Sequence, residues 1–189
     1  MNSELKVHSF LPLTYANGPG ARCCLWLQGC TLGCSGCFNP ETHGQNNNVD
    51  FEVAEVFHWI KQAQDIEGLT VSGGEPLQQP DALTELLRLV RSRTALSTIV
   101  FTGFSYEEAL LIPSFDKLKN QIDVLIAGRY LAGIRDSSGF TGLANKTIHY
   151  LSSRYSERDL ELVPVSEVII SHTGELAITG VEPPQLRNG

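Results

Sequence analysis

Positive charge is scarce in this chain: Lys and Arg number 14 against 21 Asp and Glu, a formal net charge of -7. A nucleic-acid backbone calls for a basic face, so a nucleic-acid partner is disfavoured. Long apolar runs are missing too. No stretch approaches the ~18 residues that span a bilayer, and Met1 to Leu5 lacks the basic-then-apolar order of a secretion signal. The expectation is a cytoplasmic protein. Cysteine is absent after Cys37; the five in the chain stand at positions 23, 24, 30, 34 and 37. A disulfide framework spreads an even number of cysteines along a chain, so this clustering points instead to a metal or redox site. What is present suits one compact domain: 189 residues, 42% of them apolar.

Short apolar runs alternate with helical patterns. Arg22–Leu27 reads as a strand that ends at the cysteine loop. Residues 50–64 read as a helix with Asp50 as its N-cap and Val53, Val56, Phe57, Ile60 and Ala63 on one face. Gly68–Ser72 is a strand stopped by Gly73-Gly74, and Pro80–Arg93 a helix with proline in its first turn. Ser97–Phe101 is a strand, Ser105-Tyr106-Glu107-Glu108 has the form of a capping box, and Ile122–Ala127 is the next strand. This β–α order predicts parallel strands. Residues 129–155 are polar and glycine-rich and read as irregular with short pieces of structure. Glu167–Ser171 and Glu175–Thr179 flank His172-Thr173-Gly174 as a hairpin. Residues 183–189 read as a loose tail, Asn46-Asn47-Asn48 as a loop, and His172 as structural or exposed.

The strongest motif is Cys30-Thr31-Leu32-Gly33-Cys34-Ser35-Gly36-Cys37. Its spacing lets three thiolates converge from one loop. Structural zinc takes four protein ligands, and His43 is the available fourth, so a zinc knot stays open at this point. Three cysteines on a four-iron cluster instead leave one iron for a non-protein ligand. Cys23 and Cys24 are neighbours on a strand, point to opposite faces and read as core residues.

Cys-x3-Cys-x2-Cys after one strand, with Ser72-Gly73-Gly74-Glu75-Pro76 after the next, resembles the radical S-adenosylmethionine (SAM) superfamily. Asn17-Gly18-Pro19-Gly20-Ala21-Arg22 resembles the Gly-Pro-Gly-x-Arg lead-in of glycyl-radical-enzyme activases. Cys37-Phe38-Asn39-Pro40-Glu41-Thr42, Phe101-Thr102-Gly103-Phe104, the segment Asp123 to Tyr130, and Asn145-Lys146-Thr147-Ile148 resemble segments of the activases of anaerobic ribonucleotide reductase. The likeness covers about residues 10 to 150. The last of these segments resembles the Asn-Gln-x-Ile near the activases' C-terminus. Asn17 stands where many activases have Asp. Gly36 stands where many radical SAM proteins have an aromatic residue, and the chain from Ser152 on exceeds the minimal reductase activase.

The resemblance implies an open partial (β/α) barrel of the radical SAM type with mostly parallel strands (residues 1–151) and a C-terminal extension with a β-hairpin addition (residues 152–189). It implies a 4Fe-4S cluster on Cys30, Cys34 and Cys37, with SAM chelating the open iron. Gly73 and Gly74 would let the strand edge approach SAM, Glu75 would face its amino group or instead bond the loop backbone, Thr102 would point a hydroxyl into the cleft, and Gly36 and Phe38 would flank adenine. An ordinary turn, a strand-end hydroxyl and a core anchor are the plain readings of Gly73-Gly74, Thr102 and Phe38. The implied activity is reductive cleavage of SAM to a 5′-deoxyadenosyl radical. The implied partners are a glycyl radical enzyme, such as anaerobic ribonucleotide reductase, and a flavodoxin- or ferredoxin-type electron donor. Direct action on a small molecule or ribosomal peptide, and a non-catalytic metal-binding module, are the competing functions.

Overall fold

The structure, a computed structural model, describes residues 3–44, 49–131, 140, 145–171 and 173–181. The loop at Asn46–Asn48, His172 and the tail at 183–189 lie outside the described residues. In chain order the elements are β1 (Glu4–Thr14), β2 (Arg22–Leu27), β3 (Val49–Glu52), α1 (Val53–Gln62), β4 (Gly68–Gly73), α2 (Pro80–Arg93), β5 (Ser97–Thr102), α3 (Tyr106–Leu110), α4 (Phe115–Lys119), β6 (Val124–Ala127), β7 (Thr147–Tyr150), α5 (Glu157–Glu161), β8 (Ser166–Ile170) and β9 (Leu176–Gly180).

Seven strands form one mixed sheet in the order β3-β1-β2-β4-β5-β6-β7. The central four, β2, β4, β5 and β6, are parallel, as the alternation with helices requires. The flanking strands are not: β1 runs antiparallel to both β2 and β3, and β7 runs antiparallel to β6. The expectation of a mostly parallel sheet therefore holds for its centre and not for its edges. Asp50 is not an N-cap. It lies on β3 opposite Lys6, and the helix begins at Val53. The hairpin is present as β8 and β9, a separate two-stranded sheet.

Alternation along the strands divides the core. Leu25, Leu69, Val71, Val100 and Leu125 are fully buried among the helical residues Val56, Ile60, Leu83, Leu86, Leu87, Val90 and Leu118. Removing such a side chain from water is worth about 1.5–3 kcal/mol. Ile99, Val124 and Ile126 alternate to the other face and meet Phe140, Leu160 and Val163. Ser105 accepts from the Glu108 amide while Glu108 accepts from the Ser105 amide, the capping box that opens α3.

At the amino ends of the parallel strands, Arg22 is fully buried. Its guanidinium donates to Thr70 Oγ1 (2.9 Å), Ser97 Oγ (2.9 Å), Tyr155 Oη (3.1 Å) and the carbonyls of Pro19 and Leu69 (3.1 and 2.8 Å). The cation is thus stabilised by neutral acceptors that tie β2, β4, β5 and the segment after β7 together.

Candidate functional site

The opposite, carboxyl ends of the parallel strands carry the site. The loop after β2 is fastened at its root: the Gly29 amide donates to Thr42 O (2.8 Å), and Gln28 Nε2 donates to the carbonyls of Glu41 (3.1 Å) and Gly44 (2.7 Å). The turn after β4 is joined to this loop by backbone bonds, Gly74 N to Leu27 O (2.7 Å) and Glu75 N to Gly29 O (2.9 Å). Gly73 and Gly74 make this possible. A Cβ on Gly74 would collide with the Gly29 carbonyl, and one on Gly73, where φ is +103°, would collide with the Leu27 backbone. Their missing side chains therefore bring the cysteine loop against the strand end.

Cys30, Cys34 and Cys37 are each partly exposed and line one cavity of about 490 Å³. Gly73, Gly74, Glu75, Thr102 and Phe38 line the same cavity. Gly36 does not; it is an exposed turn residue at φ +68°. Asp123 and Arg129 also stand away from it. Asp123 is buried and accepts from the Thr98 amide and Ser152 Oγ, and Arg129 pairs with Glu108 at 3.0 Å. Cys23 and Cys24 are fully buried on β2, and burial pushes the Cys23 thiol up to about 12. They belong to the core.

Glu75 is fully buried, and both carboxylate oxygens are occupied. Oε1 accepts from Leu77 N (2.9 Å) and Thr102 Oγ1 (2.7 Å), and Oε2 accepts from Gly103 N (2.7 Å). Burial raises its pKa, and the bonds from Thr102, Leu77 and Gly103 work against that rise. Glu75 thus clamps the end of β5 to the turn after β4. Burial also pushes the Cys30 thiol up. The Leu32 amide pulls it down, and the charges of Glu75, Cys34 and Cys37 push it further up.

Three groups lining the cavity escaped the sequence reading. Lys146 enters from the residue before β7. His8 to Leu11 of β1 form one wall. Ala177 to Val181 of the hairpin form another, latched by Glu167, which accepts from Thr14 Oγ1 (2.7 Å) and Tyr15 N (2.8 Å), and by Asn17 Nδ2, which donates to Thr179 Oγ1 (2.7 Å). The polar residue pairs 14/167 and 17/179 carry no local signal of these contacts.

Three cysteines from one loop, with no fourth cysteine lining the cavity among the described residues, form a donor set that fits a four-iron cluster with one iron left for a non-protein ligand. His43 lines the same cavity.

The comparisons agree with this chemistry. The family model described as a 4Fe-4S single cluster domain matches residues 16–149. The anaerobic ribonucleoside-triphosphate reductase-activating protein of Escherichia coli K12 is 30% identical over 156 residues, 78% of this chain and 99% of the relative. The protein of the same name from Enterobacteria phage T4 is 31% identical over 143 residues, 72% of this chain and 88% of its own. The pyruvate formate-lyase-activating enzyme of Clostridium pasteurianum is 32% identical over 113 residues, 56% of this chain and 48% of its own. The chain therefore belongs to the 4Fe-4S single-cluster family of radical SAM activating proteins.

Proposed function

We propose that this protein is a radical SAM activase that abstracts hydrogen from a glycine of a partner glycyl radical enzyme, anaerobic ribonucleotide reductase being the leading candidate. The observation that carries the reading is the shared cavity. Three cysteines from one loop meet the Gly73-Gly74-Glu75 turn and Thr102 at the carboxyl ends of parallel strands, where β/α folds keep their chemistry. The mixed sheet is then the core of an open partial barrel within residues 1–151, and residues 152–189 are an extension whose hairpin residues Ala177 to Val181 wall the cavity.

The chemistry that a 4Fe-4S cluster and SAM would supply at this site is one-electron reductive cleavage of the sulfonium carbon–sulfur bond. The chain's own residues prepare that event. Cys30, Cys34 and Cys37 hold the cluster as thiolates. Gly73 and Gly74 hold the cysteine loop to β4 and leave their edge open to SAM. Glu75 fixes the ends of β4 and β5 through Thr102 and Gly103, and Phe38 offers a ring at the rim. Phe10 and Leu11 of β1 and Ile178 of the hairpin add apolar surface beside the reacting centre. A flavodoxin- or ferredoxin-type protein is the electron donor in this reading.

The test is anaerobic. The cluster is reconstituted and reduced, SAM is added, and 5′-deoxyadenosine is quantified for wild type and Cys34→Ala. A glycyl radical is then sought by electron paramagnetic resonance on an added reductase. Product and radical from wild type alone bear the reading out. SAM cleavage with no radical on any reductase overturns the partner and leaves direct action on a small molecule or peptide. An intact, reducible cluster with no SAM-dependent change in its resonance signal overturns the enzyme itself.

A further inference from the structure

Lys146 is the only lysine or arginine among the described residues lining the cavity. Its place is fixed by the backbone beneath it. Gly128, at φ +131°, lies so close to the Asn145–Lys146 segment that a Cβ there would come within 3.2 Å of Asn145 O and 3.4 Å of Lys146 Cα. Lys146 Nζ donates to Gly128 O at 2.9 Å, and Asn145 Nδ2 donates to Arg129 O at 2.9 Å. Gly128 N in turn donates to Thr102 O at 3.1 Å, so the ammonium is referenced to the same strand end that Glu75 clamps.

A carbonyl is poor compensation for a desolvated ammonium. Burial pulls the Lys146 pKa down, and the groups that restore its charge are Glu75, Cys34 and Cys37. A staple for the Gly128 carbonyl needs only a neutral donor. A lysine here brings a positive charge into the cavity that Cys30, Cys34, Cys37 and Glu75 also line.

We propose that Lys146 sets the reduction potential of the cluster held by Cys30, Cys34 and Cys37, its ammonium favouring the reduced state in which the group carries one more negative charge. This rests on the cluster reading given above. Lys146 touches no reacting atom in this role and acts through the cluster. The physical basis is Coulombic: in a partly buried site a nearby cation lowers the free energy of added negative charge.

The experiment is a spectroelectrochemical titration of the reconstituted full chain, without SAM or partner, for wild type, Lys146→Met, Lys146→Gln and Lys146→Arg. Iron content is measured alongside. At the wild-type midpoint, Met and Gln are expected to lower the reduced-to-oxidised ratio by about tenfold, which for a one-electron couple is a shift of 59 mV to more negative potential. Arg keeps the ratio near wild type. If Met fails to assemble the cluster, Gln, whose amide can still donate to Gly128 O, carries the same expectation. A neutral variant with full iron and an unmoved midpoint overturns the proposal, as does an Arg variant that shifts as far as Met. Wild type that takes up no iron overturns this proposal and the cluster reading together. Wild type that holds a titratable cluster but does not cleave SAM overturns only the activase reading, and the comparison of midpoints still decides the role of Lys146.

Discussion

Replacing Glu75 with glutamine isolates the clamp at the heart of the site. The carboxylate accepts three hydrogen bonds, two on Oε1 from Leu77 N and Thr102 Oγ1, and one on Oε2 from Gly103 N. A glutamine has one acceptor oxygen. With that oxygen toward Leu77 and Thr102, its NH2 confronts the Gly103 amide. With the amide flipped, the Thr102 hydroxyl can turn to accept, but the Leu77 amide loses its partner. Either orientation orphans one buried backbone N–H, which costs about 1–3 kcal/mol. For a chain of this size that lowers the melting temperature by about 2–12 °C. Loss of the buried charge offsets part of the cost at neutral pH. Burial holds the Glu75 pKa above its unfolded value, so the stability linked to its proton is fully present below the unfolded pKa and is lost as pH rises through the folded one. The gap between wild type and Glu75→Gln therefore widens as pH falls from neutral toward the carboxylate range. Urea unfolding at a series of pH values measures it. A glutamine variant as stable as wild type at pH 7 would refute the clamp; a gap that narrows in acid would show instead that the bonds to the carboxylate outweigh its burial.

Other perturbations have equally definite outcomes. Alkylation of the native, cluster-free protein at pH 8, read by mass spectrometry, labels Cys30, Cys34 and Cys37 and spares Cys23 and Cys24; with its thiol near 12, Cys23 is ionised in only about one molecule in ten thousand. Gly74→Ala forces a methyl into the Gly29 carbonyl and lifts the cysteine loop from β4, so reconstituted iron falls well below wild type while circular dichroism still reports a folded sheet. Arg22→Met leaves the Pro19 and Leu69 carbonyls without their guanidinium donor and lowers stability by about 3 kcal/mol or more in urea titration. Ser97 Oγ and Tyr155 Oη keep their own 2.7 Å bond, which limits that loss.

The parts legible in the sequence were those whose signal is local. Arg22–Leu27 and Pro80–Arg93 have the bounds their composition and turn residues assign, and the Ser105 box caps its helix. The cysteine spacing and the Gly-Gly-Glu turn, 35 residues apart from Cys37 to Ser72, found each other because each sits at the end of a strand. β1 was not legible. Its register shifts between Val7 and Ser9 and again between Leu11 and Thr14, so no even alternation runs along it, and Pro12 argues against a strand. β3 from Asp50 on was absorbed into the following helix because Asp50 reads as an N-cap and the alternation Val49-Asp50-Phe51-Glu52 is too short to mark a strand without its pairing with β1. Gly73-Gly74 reads from sequence as the stop of a strand, but the collisions that make glycine necessary there do not. Lys146 was visible only as part of a familiar segment, since Glu75 and the cysteines that share its cavity lie more than 70 residues away in the chain.

The guanidinium of Arg22 also has a meaning in time. One of its acceptors, the Tyr155 hydroxyl, lies 133 residues later in the chain. During synthesis, β2, β4 and β5 emerge and can pair, but the lower end of the sheet encloses a cation whose set of acceptors is still incomplete. Long-range closure of this kind is the slow step in folding. The nascent sheet is therefore expected to remain protease-sensitive at that end until residue 155 has left the ribosome, and only then to lock as a single cooperative unit.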